Sequence, residues 1–274
     1  MTPGIYPSLS NEEYHSGPGI SRSKLWTTFT KSPAHAMAEK IAQTKAMMIG
    51  SVVHTAVLEP NVFEATHVRA EKLDKRTSIG KLAAERFAAQ NVGKEIVEAD
   101  VYDLACAIRD SLYSSALVRW LLEGGQPEHS AYWEDFETGE LCRVRPDMVQ
   151  PGAIIDLKTT QDASPDGFAK SVATFGYHLQ DAFYSEGWAQ ACGGPINNFI
   201  FLAVEKEPPY AWAIYELDND ARAEGQAIMR HALNIFHNCR ESNVYPAFPE
   251  EVRLLSLPNW AFKLTAPKMG AFGV

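Results

Sequence analysis

Residues 140–160 read ELCRVRPDMVQPGAIIDLKTT, and this stretch decides the fold. Polar and apolar side chains alternate on both sides of Pro151-Gly152, which is typical of two strands joined by a tight turn. Proline at the first central position and glycine at the second suit a type II turn. Pairing outward from that turn places Asp147 opposite Asp156, and Arg145 opposite Lys158.

The predicted hairpin has one charged face and one apolar face. Side chains on one face of a strand recur at every second residue, so Arg143, Arg145 and Asp147 share a face with Asp156 and Lys158. The other face carries side chains that can join the core: Cys142, Val144, Met148, Ile155 and Leu157. A register shift of one residue would exchange the two faces.

The charged face predicts a metal site. Two carboxylates directly opposite each other, about 5 Å apart at Cβ, repel, so Asp147 and Asp156 alone would destabilise the hairpin. Carboxylate oxygens are ligands that Mg²⁺ and Mn²⁺ prefer. Lys158 beside a metal can bind a phosphate oxygen or orient an attacking water, which is the chemistry of phosphodiester hydrolysis. The ordinary alternative is a solvated ladder of ion pairs on the wet face of a sheet.

The flanking segments predict helices around a small sheet. We expect an α/β fold with a small central mixed sheet, including a β-meander, between helices. Helices are indicated after an N-cap at Ser21, over 34–59 up to Pro60, within 80–123, over 167–192, and from a cap at Asn219 to about 239. Strands are indicated over 130–137, 140–149, 153–160, 197–205 and 211–218. Residues 1–20 are expected to be rich in turns, and 61–79 to form a charged, irregular loop.

The length of 274 residues suits one large domain, or one domain with an appended lobe, and we expect a single domain. We expect residues 1–125 to be mainly helical, 126–240 to form the catalytic α/β core and 241–274 to be an irregular tail. The net charge of −9 argues against a protein that coats nucleic acid by bulk charge. The charge is compatible with a local basic channel beside an acidic metal site. The loop cations Lys72, Lys75 and Arg76 are candidates to contact DNA phosphates, and the alternative is that they are solvated.

The cysteines and the N-terminus exclude several classes of protein. The four cysteines form no CxxC pair, which disfavours a zinc ribbon, and a disulfide framework is not expected without a signal peptide. No stretch reaches the roughly 18 apolar residues of a membrane span. We therefore expect a cytoplasmic protein of a bacterial host cell, with no membrane association.

An ordered set of motifs resembles the PD-(D/E)xK nucleases. Asp147, in RPDMV, corresponds to the first acidic residue, and Asp156-Leu157-Lys158, in IIDLKTT, corresponds to the (D/E)xK tripeptide. His54, in GSVVH, resembles the histidine motif of the RecB-like branch. Gln180 and Tyr184, in YHLQDAFY, match the QxxxY motif of that branch. The opening GIYPSLSNEEYHSGPGISRSKL, followed by KSPAH, resembles the start of RecE-type nuclease domains.

The resemblance implies a restriction-endonuclease-like core and a role for each matching residue. His54, Asp147, Asp156 and the Leu157 carbonyl would bind Mg²⁺, for which Mn²⁺ can substitute, and Lys158 would position water and phosphate. Glu128 lies where related nucleases carry a glutamate before the first core strand, and it would assist a second metal or the attacking water. The iron–sulfur branch needs clustered cysteines that are missing here, so no cluster is expected.

Other residues are candidates to contact DNA. Gln180 and Tyr184 share a helix face and would contact DNA or steady the metal-site residues. Arg143 and Arg145 are expected on the DNA side. Ser21, Arg22, Ser23 and Lys24 lie near a helix N-terminus, a natural phosphate site. Each has an ordinary alternative: a core or surface residue for Gln180 and Tyr184, a simple N-cap for the serines, and compensation of the acidic site for Arg143 and Arg145. Without the other motifs, His54 would be interpreted as a core histidine, and Glu128 as a solvated glutamate in a loop.

The resemblance further implies an exonuclease that resects duplex DNA ends from 5′ to 3′ and leaves 3′ single strands. A RecT-like single-strand annealing protein would be its partner, and a ring-shaped homo-oligomer would hold it on DNA. The alternatives are a structure-specific or single-strand nuclease with the same site, a non-catalytic DNA-end binding subunit, and an unrelated protein with a solvated hairpin.

Overall fold

The computed structural model describes residues 1–38, 44–71 and 76–262 of the chain. Its helices are α1 (Asn11–Ser16), α2 (Arg22–Thr30), α3 (Pro33–Ala38), α4 (Lys45–Leu58), α5 (Pro60–Thr66), α6 (Ser78–Gln90), α7 (Ala99–Ser114), α8 (Ala116–Leu122), α9 (Pro165–Phe175), α10 (Tyr177–Cys192) and α11 (Asn219–Ser242). A short 3₁₀ helix spans Asn259–Ala261. None of the described helices is both long and apolar enough to cross a membrane.

The strands are β1 (Gly4–Tyr6), β2 (His67–Arg69), β3 (Glu95–Val97), β4 (Gln126–Pro127), β5 (Ser130–Glu134), β6 (Leu141–Val144), β7 (Met148–Gln150), β8 (Ala153–Thr160), β9 (Asn198–Glu205) and β10 (Trp212–Tyr215). The central sheet has the strand order β10-β9-β8-β7-β4. Strands β8 and β9 pair in parallel and the other pairs are antiparallel, so the sheet is mixed. Strands β1, β5 and β6 form a second, antiparallel sheet, and β2 pairs with β3.

Strand β8 lies between two apolar clusters because its side chains alternate between the two faces of the sheet. Ile154 joins the cluster that includes α9, α10 and α11. Ile155 and Leu157 join the cluster on the other face, which includes α4, α7 and α8. A strand covered by helices on both faces needs apolar residues on both, and AIIDL supplies them. Polar side chains occur from Asp156 onward, in the second half of the strand, and that half carries the site.

The predicted turn and register are confirmed, and the predicted meander is wrong. Met148 pairs with Ile155 and Gln150 with Ala153 around Pro151-Gly152, in the expected register. The segment 140–149, however, does not form one strand. It divides at residues 145–147, so that β6 belongs to the second sheet and β7 to the central sheet. Pro146, which cannot donate a backbone hydrogen bond to a ladder, lies at the break.

Other predicted boundaries also change. Proline 60 follows the end of α4 as expected, but it also begins α5, because proline is favoured at the first helical position. The loop expected over 61–79 instead contains most of α5, strand β2 and the start of α6. Lys72 and Lys75, and the part of the predicted 34–59 helix at 39–43, lie outside the described residues. Residues 1–20 contain β1 and α1, and the side chain of Asp218, not of Asn219, caps α11.

The helix expected over 167–192 is two helices, because Gly176 interrupts it in a left-handed conformation (φ 67°). A Cβ at this position would lie 2.5 Å from the ring of Trp26, so neither the backbone conformation nor the packing leaves room for a side chain. The break turns α10 so that its first residues face the end of β8.

We expect Gly225→Ala to lower the free energy of unfolding by roughly 2–4 kcal/mol, because a Cβ there would lie 2.1 Å from the His178 carbonyl oxygen, where α11 crosses α10. Gly50→Ala, in the interior of α4, is the matched control. Its Cβ would meet nothing within 4 Å, so it should stabilise by up to about 1 kcal/mol. Urea unfolding of the two variants measures both effects, and equal effects would contradict the packing described.

Candidate metal centre

Three separate segments of the chain bring a histidine and two carboxylates together. His54 comes from α4, Glu128 directly follows β4, and Asp147 directly precedes β7. One ligand atom from each of the three lies within 4.8 Å of the other two. Because these residues are far apart in sequence, only the packing of α4 against the end of the central sheet assembles them.

Asp147 is held in place by the neighbouring strand. Its Oδ2 accepts a hydrogen bond from the Leu157 N–H at 2.8 Å and lies 3.5 Å from His54 Nδ1. The backbone pairing of β7 with β8 ends at Ile155. Beyond it, the Asp147 carboxylate, in place of a backbone carbonyl of β7, accepts the hydrogen bond from the Leu157 N–H. The N–H and C=O of a strand residue point to the same edge. The Leu157 carbonyl therefore faces the same side as the Asp147 carboxylate, as expected of a backbone ligand.

Glu128 has a backbone conformation that side chains rarely adopt. Its φ of 55° is in the left-handed region, which costs about 1 kcal/mol for a residue other than glycine. Its N–H donates to the Asp147 carbonyl at 3.2 Å, which extends the pairing of β4 with β7. Strained backbone of this kind is common at functional sites, and here it places the Glu128 carboxylate beside Asp147 and His54.

Asp156 and Lys158 form the second half of the site. Asp156 is fully buried, its Oδ1 accepts a hydrogen bond from the Gln180 side chain, and its Oδ2 contacts the Lys158 ammonium. The ammonium also lies 4.7 Å from the centre of the Tyr177 ring. The motif residue Gln180 therefore contacts Asp156 directly and fixes its orientation from α10.

Asp147 carries its negative charge in this arrangement. Burial raises the pKa of Asp147, but His54, Lys158 and the Leu157 N–H together outweigh burial and hold that pKa below its ordinary value. Burial lowers the pKa of His54, and the nearby Asp147 carboxylate more than compensates, so the pKa of His54 is raised. The two residues thus stabilise each other's charged forms.

The carboxyl groups of Glu128 and Asp156 lose their protons less readily than ordinary carboxyls. Burial, together with the Asp147 charge, raises the pKa of Glu128 to about 7. Burial raises the pKa of Asp156 to about 6, although Lys158 opposes this shift. The raised pKa values mean that the site has too little positive charge to stabilise all three carboxylates as anions. A bound divalent cation would supply that charge.

Arg143 and Arg145 do not lie on the Asp156–Lys158 face, because β6 belongs to the second sheet. Their side chains are only 7% and 9% exposed. Arg143 donates to the carbonyls of Tyr14, His15 and Gly17, and Arg145 donates to those of Leu9 and Ser10. Both guanidinium groups also lie over the Tyr14 ring, at 5.0 and 4.5 Å. The two arginines thus fasten the N-terminal segment 9–17 beside the site.

A cavity of about 560 Å³ adjoins this segment. Its lining includes both predicted serines, Ser21 and Ser23, together with Arg22, Lys24 and Tyr184 from the QxxxY motif. The Ser21 side chain accepts a hydrogen bond from the Lys24 N–H, so the predicted N-cap is present. A second cavity, of about 580 Å³, is lined by His54, Glu128 and Arg145, and both cavities include Asn11 and His15.

Sequence reasoning missed Tyr177. Tyr177 lies under the Lys158 ammonium, and the Arg22 guanidinium lies 6.0 Å from the centre of the same ring. Tyr177 precedes Gln180 by three positions, so the two share a helix face. Extending the QxxxY motif by one turn towards the N-terminus would have identified it.

A comparison with protein families matches residues 21–258 to a family described as "PDDEXK-like domain of unknown function (DUF3799)". The match covers most of the chain, including every residue of the site. The chain belongs to this PDDEXK-like family. No curated protein matches the chain.

Two solved structures are similar to this PDDEXK-like protein. The crystal structure of a "putative exonuclease" from Eubacterium rectale has a TM-score of 0.59 and 19% sequence identity, over 95% of this chain and 99% of that one. It supports the expected fold class. The crystal structure of a phage-related exonuclease from Haemophilus somnus has a TM-score of 0.36 and 15% identity, over 85% of this chain and 100% of that one.

The PDDEXK-like site fits a divalent metal. PDDEXK nucleases use such ions, and the donor set of imidazole and carboxylate oxygens suits Mg²⁺ or Mn²⁺. His54, Glu128 and Asp147 already place their ligand atoms close enough together to bind one ion. Asp156 instead pairs with Lys158 and Gln180, so it would join the ligand set by sharing its carboxylate with the cation.

The raised pKa values predict how the stability of the metal-free protein depends on pH. Folded Glu128 and Asp156 bind protons more tightly than the unfolded chain does, so their contribution to stability is lost as pH rises from about 4 to about 7. Between pH 5.5 and pH 8 the Glu128 contribution alone falls by about 2 kcal/mol. His54, whose pKa is also raised, acts in the same direction.

The melting temperature in EDTA should therefore be lower at pH 8 than at pH 5.5, and excess Mn²⁺ should restore more stability at pH 8. Glu128→Gln is the control, because it removes the Glu128 contribution and leaves the rest of the acidic surface unchanged. A pH dependence that is identical in this variant and the wild type would contradict the raised pKa of Glu128.

Proposed function

We propose that the protein is a divalent-metal-dependent DNA nuclease that hydrolyses phosphodiester bonds at duplex ends. The observation that carries the proposal is the juxtaposition of the His54–Glu128–Asp147 cluster with the buried Asp156–Lys158 pair. Membership of the PDDEXK-like family supports the same chemistry. A purely structural ion-pair network would not need three carboxyls beside each other, two of them with raised pKa values.

Each residue has a distinct task in this proposal. His54, Asp147, Asp156 and the Leu157 carbonyl would hold Mg²⁺ or Mn²⁺, and Glu128 would hold a second ion or accept a proton from the attacking water. The bound cation would lower the pKa of that water and stabilise charge on the scissile phosphate. Lys158, whose pKa is raised by Asp156 and Asp147 despite burial, stays protonated and would donate to a phosphate oxygen. Gln180 keeps Asp156 oriented.

The DNA strand would follow the two cavities that flank the N-terminal segment 9–17. In the first, the cations Arg22 and Lys24 and the hydroxyls of Ser21 and Ser23 are suitable donors for backbone phosphates. Tyr184 would contact the strand from the same wall. The second cavity leads to His54 and Glu128. A local basic entrance of this kind explains how a protein with a net charge of −9 binds a polyanion.

The resemblance to RecE-type domains extends the proposal to direction and partners. We propose degradation from 5′ to 3′ that leaves 3′ single strands, a RecT-like annealing protein as partner and a ring-shaped homo-oligomer around the DNA. The second candidate is a structure-specific or single-strand nuclease, which the accessible cavities would also serve. A non-catalytic DNA-end binding subunit is the third, and the complete set of Asp147, Asp156 and Lys158 disfavours it.

The test is cleavage of linear duplex DNA labelled at either the 5′ or the 3′ end, with nicked and single-stranded substrates alongside, in Mg²⁺ or EDTA. Mg²⁺-dependent release of the 5′ label as mononucleotides, with the 3′-ended strand left long, is the expected result. Preference for single strands would favour the second candidate. DNA-end binding without cleavage of any substrate, by folded protein with metal, would refute the nuclease and favour the third.

A further inference from the structure

The ammonium group of Lys158 has a second contact besides Asp156. It lies over the Tyr177 ring, 4.7 Å from the ring centre, and the Lys158 side chain is only 15% exposed. A lysine ammonium within about 6 Å of the centre of an aromatic face is attracted by the electron density of that face, and more strongly where water is excluded. Because Lys158 is largely buried, we expect its contact with the ring to be among the stronger ones of this type.

The Tyr177 ring is itself held in place by its neighbours. It stacks on Phe201 of β9, with ring centres 5.9 Å apart, and its centre lies 6.0 Å from that of Phe168 on α9. Directly before it, Gly176 adopts a left-handed conformation where α10 begins, and it packs closely against α2. The ring therefore offers a fixed surface to the flexible side chain of Lys158.

Asp156 alone would hold the ammonium less well once the site is loaded. In the proposed site Asp156 shares its carboxylate with a divalent cation, whose charge weakens the attraction between Asp156 and Lys158 and repels the ammonium. Lysine carries its ammonium on a flexible four-carbon stem, so Lys158 could then take other conformations. The ring has no net charge to be neutralised, so its attraction for the ammonium remains.

We propose that Tyr177 is a positioning residue whose ring keeps the Lys158 ammonium beside Asp156 when the metal site is loaded. The proposal rests on the proposed nuclease function, to which it adds the residue that holds the phosphate-binding cation in place. The face of the ring performs this task, and the hydroxyl does not, because the attraction arises from the π-electrons. Phenylalanine at position 177 would therefore perform it, and leucine would not.

Arg22 depends on the same ring much less. Its guanidinium lies 6.0 Å from the centre of the Tyr177 ring, at the outer limit for such an attraction. It also donates a hydrogen bond to the Phe175 carbonyl, which does not involve the ring. Loss of the ring should therefore leave Arg22 in the DNA-binding cavity. The effect should appear mainly in the rate of cleavage and much less in the affinity for DNA.

Two substitutions separate the ring of Tyr177 from its hydroxyl. In single-turnover cleavage of an end-labelled duplex with Mg²⁺, Tyr177→Leu should be about 5- to 30-fold slower than wild type, the loss expected for one desolvated contact of this type. Tyr177→Phe should stay within about twofold of wild type. Wild-type cleavage by folded Tyr177→Leu, or an equal loss of rate in both variants, would overturn the proposal.

Phe136→Leu is the matched control, because it also removes an aromatic ring that lies under a cation. The Arg230 guanidinium lies 5.1 Å from the centre of the Phe136 ring, in the turn between β5 and β6. This variant should cleave within about twofold of the wild-type rate. A loss as large as that of Tyr177→Leu would show that removing any such ring slows the enzyme, which overturns a specific role for Tyr177.

An NMR measurement tests the contact without using activity. In protein with ¹³C-labelled lysine, the ε-methylene protons of Lys158 should resonate upfield of those of other lysines, because an aromatic face shields nuclei above it. The signal is assigned by its absence from Lys158→Ala. The upfield shift should persist in Mg²⁺-loaded wild type and in Tyr177→Phe, and disappear in Tyr177→Leu. An unshifted Lys158 signal in Mg²⁺-loaded wild type overturns the proposal, even if Tyr177→Leu does not fold.

A double variant shows whether Tyr177 acts through Lys158. Tyr177→Leu combined with Lys158→Ala should cleave no more slowly than Lys158→Ala alone, because the ring has no other task in catalysis. A further loss of about fivefold or more in the double variant would overturn the proposal. Wild type that cleaves no DNA would refute the proposed function, whatever the NMR signal, whereas wild-type cleavage by Tyr177→Leu refutes only the role of Tyr177.

Discussion

Lys158→Ala is expected to lower the rate of Mg²⁺-dependent DNA cleavage by roughly 10²–10³-fold or more, in keeping with the loss of one positioned charge at a reacting phosphate. The Lys158 ammonium contacts Asp156, and both side chains are largely buried. Without Lys158 the pKa of Asp156 would rise further, because burial would be opposed by one positive charge fewer. Asp156 would then be protonated over more of the working pH range.

Single-turnover cleavage of an end-labelled duplex measures this effect independently of product release. Lys170→Ala, on an exposed position of α9, is the matched control and should leave the rate within about twofold of wild type, as expected for a surface substitution. Circular dichroism establishes that both variants are folded. A folded Lys158→Ala protein with wild-type cleavage would refute the catalytic role of Lys158.

Asp147→Asn is expected to remove metal binding and to reduce cleavage by about 10³-fold or more, because a neutral amide replaces the carboxylate that contacts His54 and accepts the Leu157 N–H bond. The asparagine side-chain oxygen can still accept the Leu157 N–H bond, so the end of β7 should keep its position. The variant should therefore keep its local backbone, and in EDTA at pH 8 it should be less stable than the wild type, because it loses the interactions with His54 and Lys158 that hold the pKa of Asp147 below its ordinary value.

The melting temperature with and without Mn²⁺ separates metal binding from catalysis. Wild type should gain several degrees with saturating Mn²⁺, and Asp147→Asn should gain none. Asp110→Asn, an exposed residue on α7, should behave as wild type. Equal Mn²⁺ stabilisation of wild type and Asp147→Asn would contradict the proposed metal centre, whatever the activity of the variant.

The local pattern was sufficient for the hairpin but not for the sheets. Alternation around Pro151-Gly152 correctly predicts the pairing of Met148 with Ile155, because register in a short hairpin depends on the turn and on which face is buried. It does not predict that the chain leaves one sheet at Val144 and enters another at Met148. That change depends on which strands pair with β6 and β7. Strand β6 pairs with β5 in the second sheet, and β7 pairs with β4, which is too short to be recognised.

The positions of Arg143 and Arg145 also depend on tertiary structure that the local pattern does not predict. Alternation places Arg143 and Arg145 on the face of Asp147, and a continuous strand would have kept them there. In the folded chain they donate to carbonyls of the N-terminal segment. The sequence of that segment gives no sign that its carbonyls lack partners, because unpaired backbone groups become evident only when the path of the chain is known.

The sequence by itself determined the chemistry of this protein: which residues can bind a metal, the register that brings Asp147 to the strand of Asp156, and the helix face that carries Gln180 and Tyr184. These features depend on residue type and on the periodicity of a single strand or helix. Only the tertiary structure decided that His54, Glu128 and Asp147 meet within 4.8 Å, and that Tyr177 lies under Lys158. The physical reason is that such distances are set by the packing of elements far apart in the chain, and a local pattern carries no record of that packing.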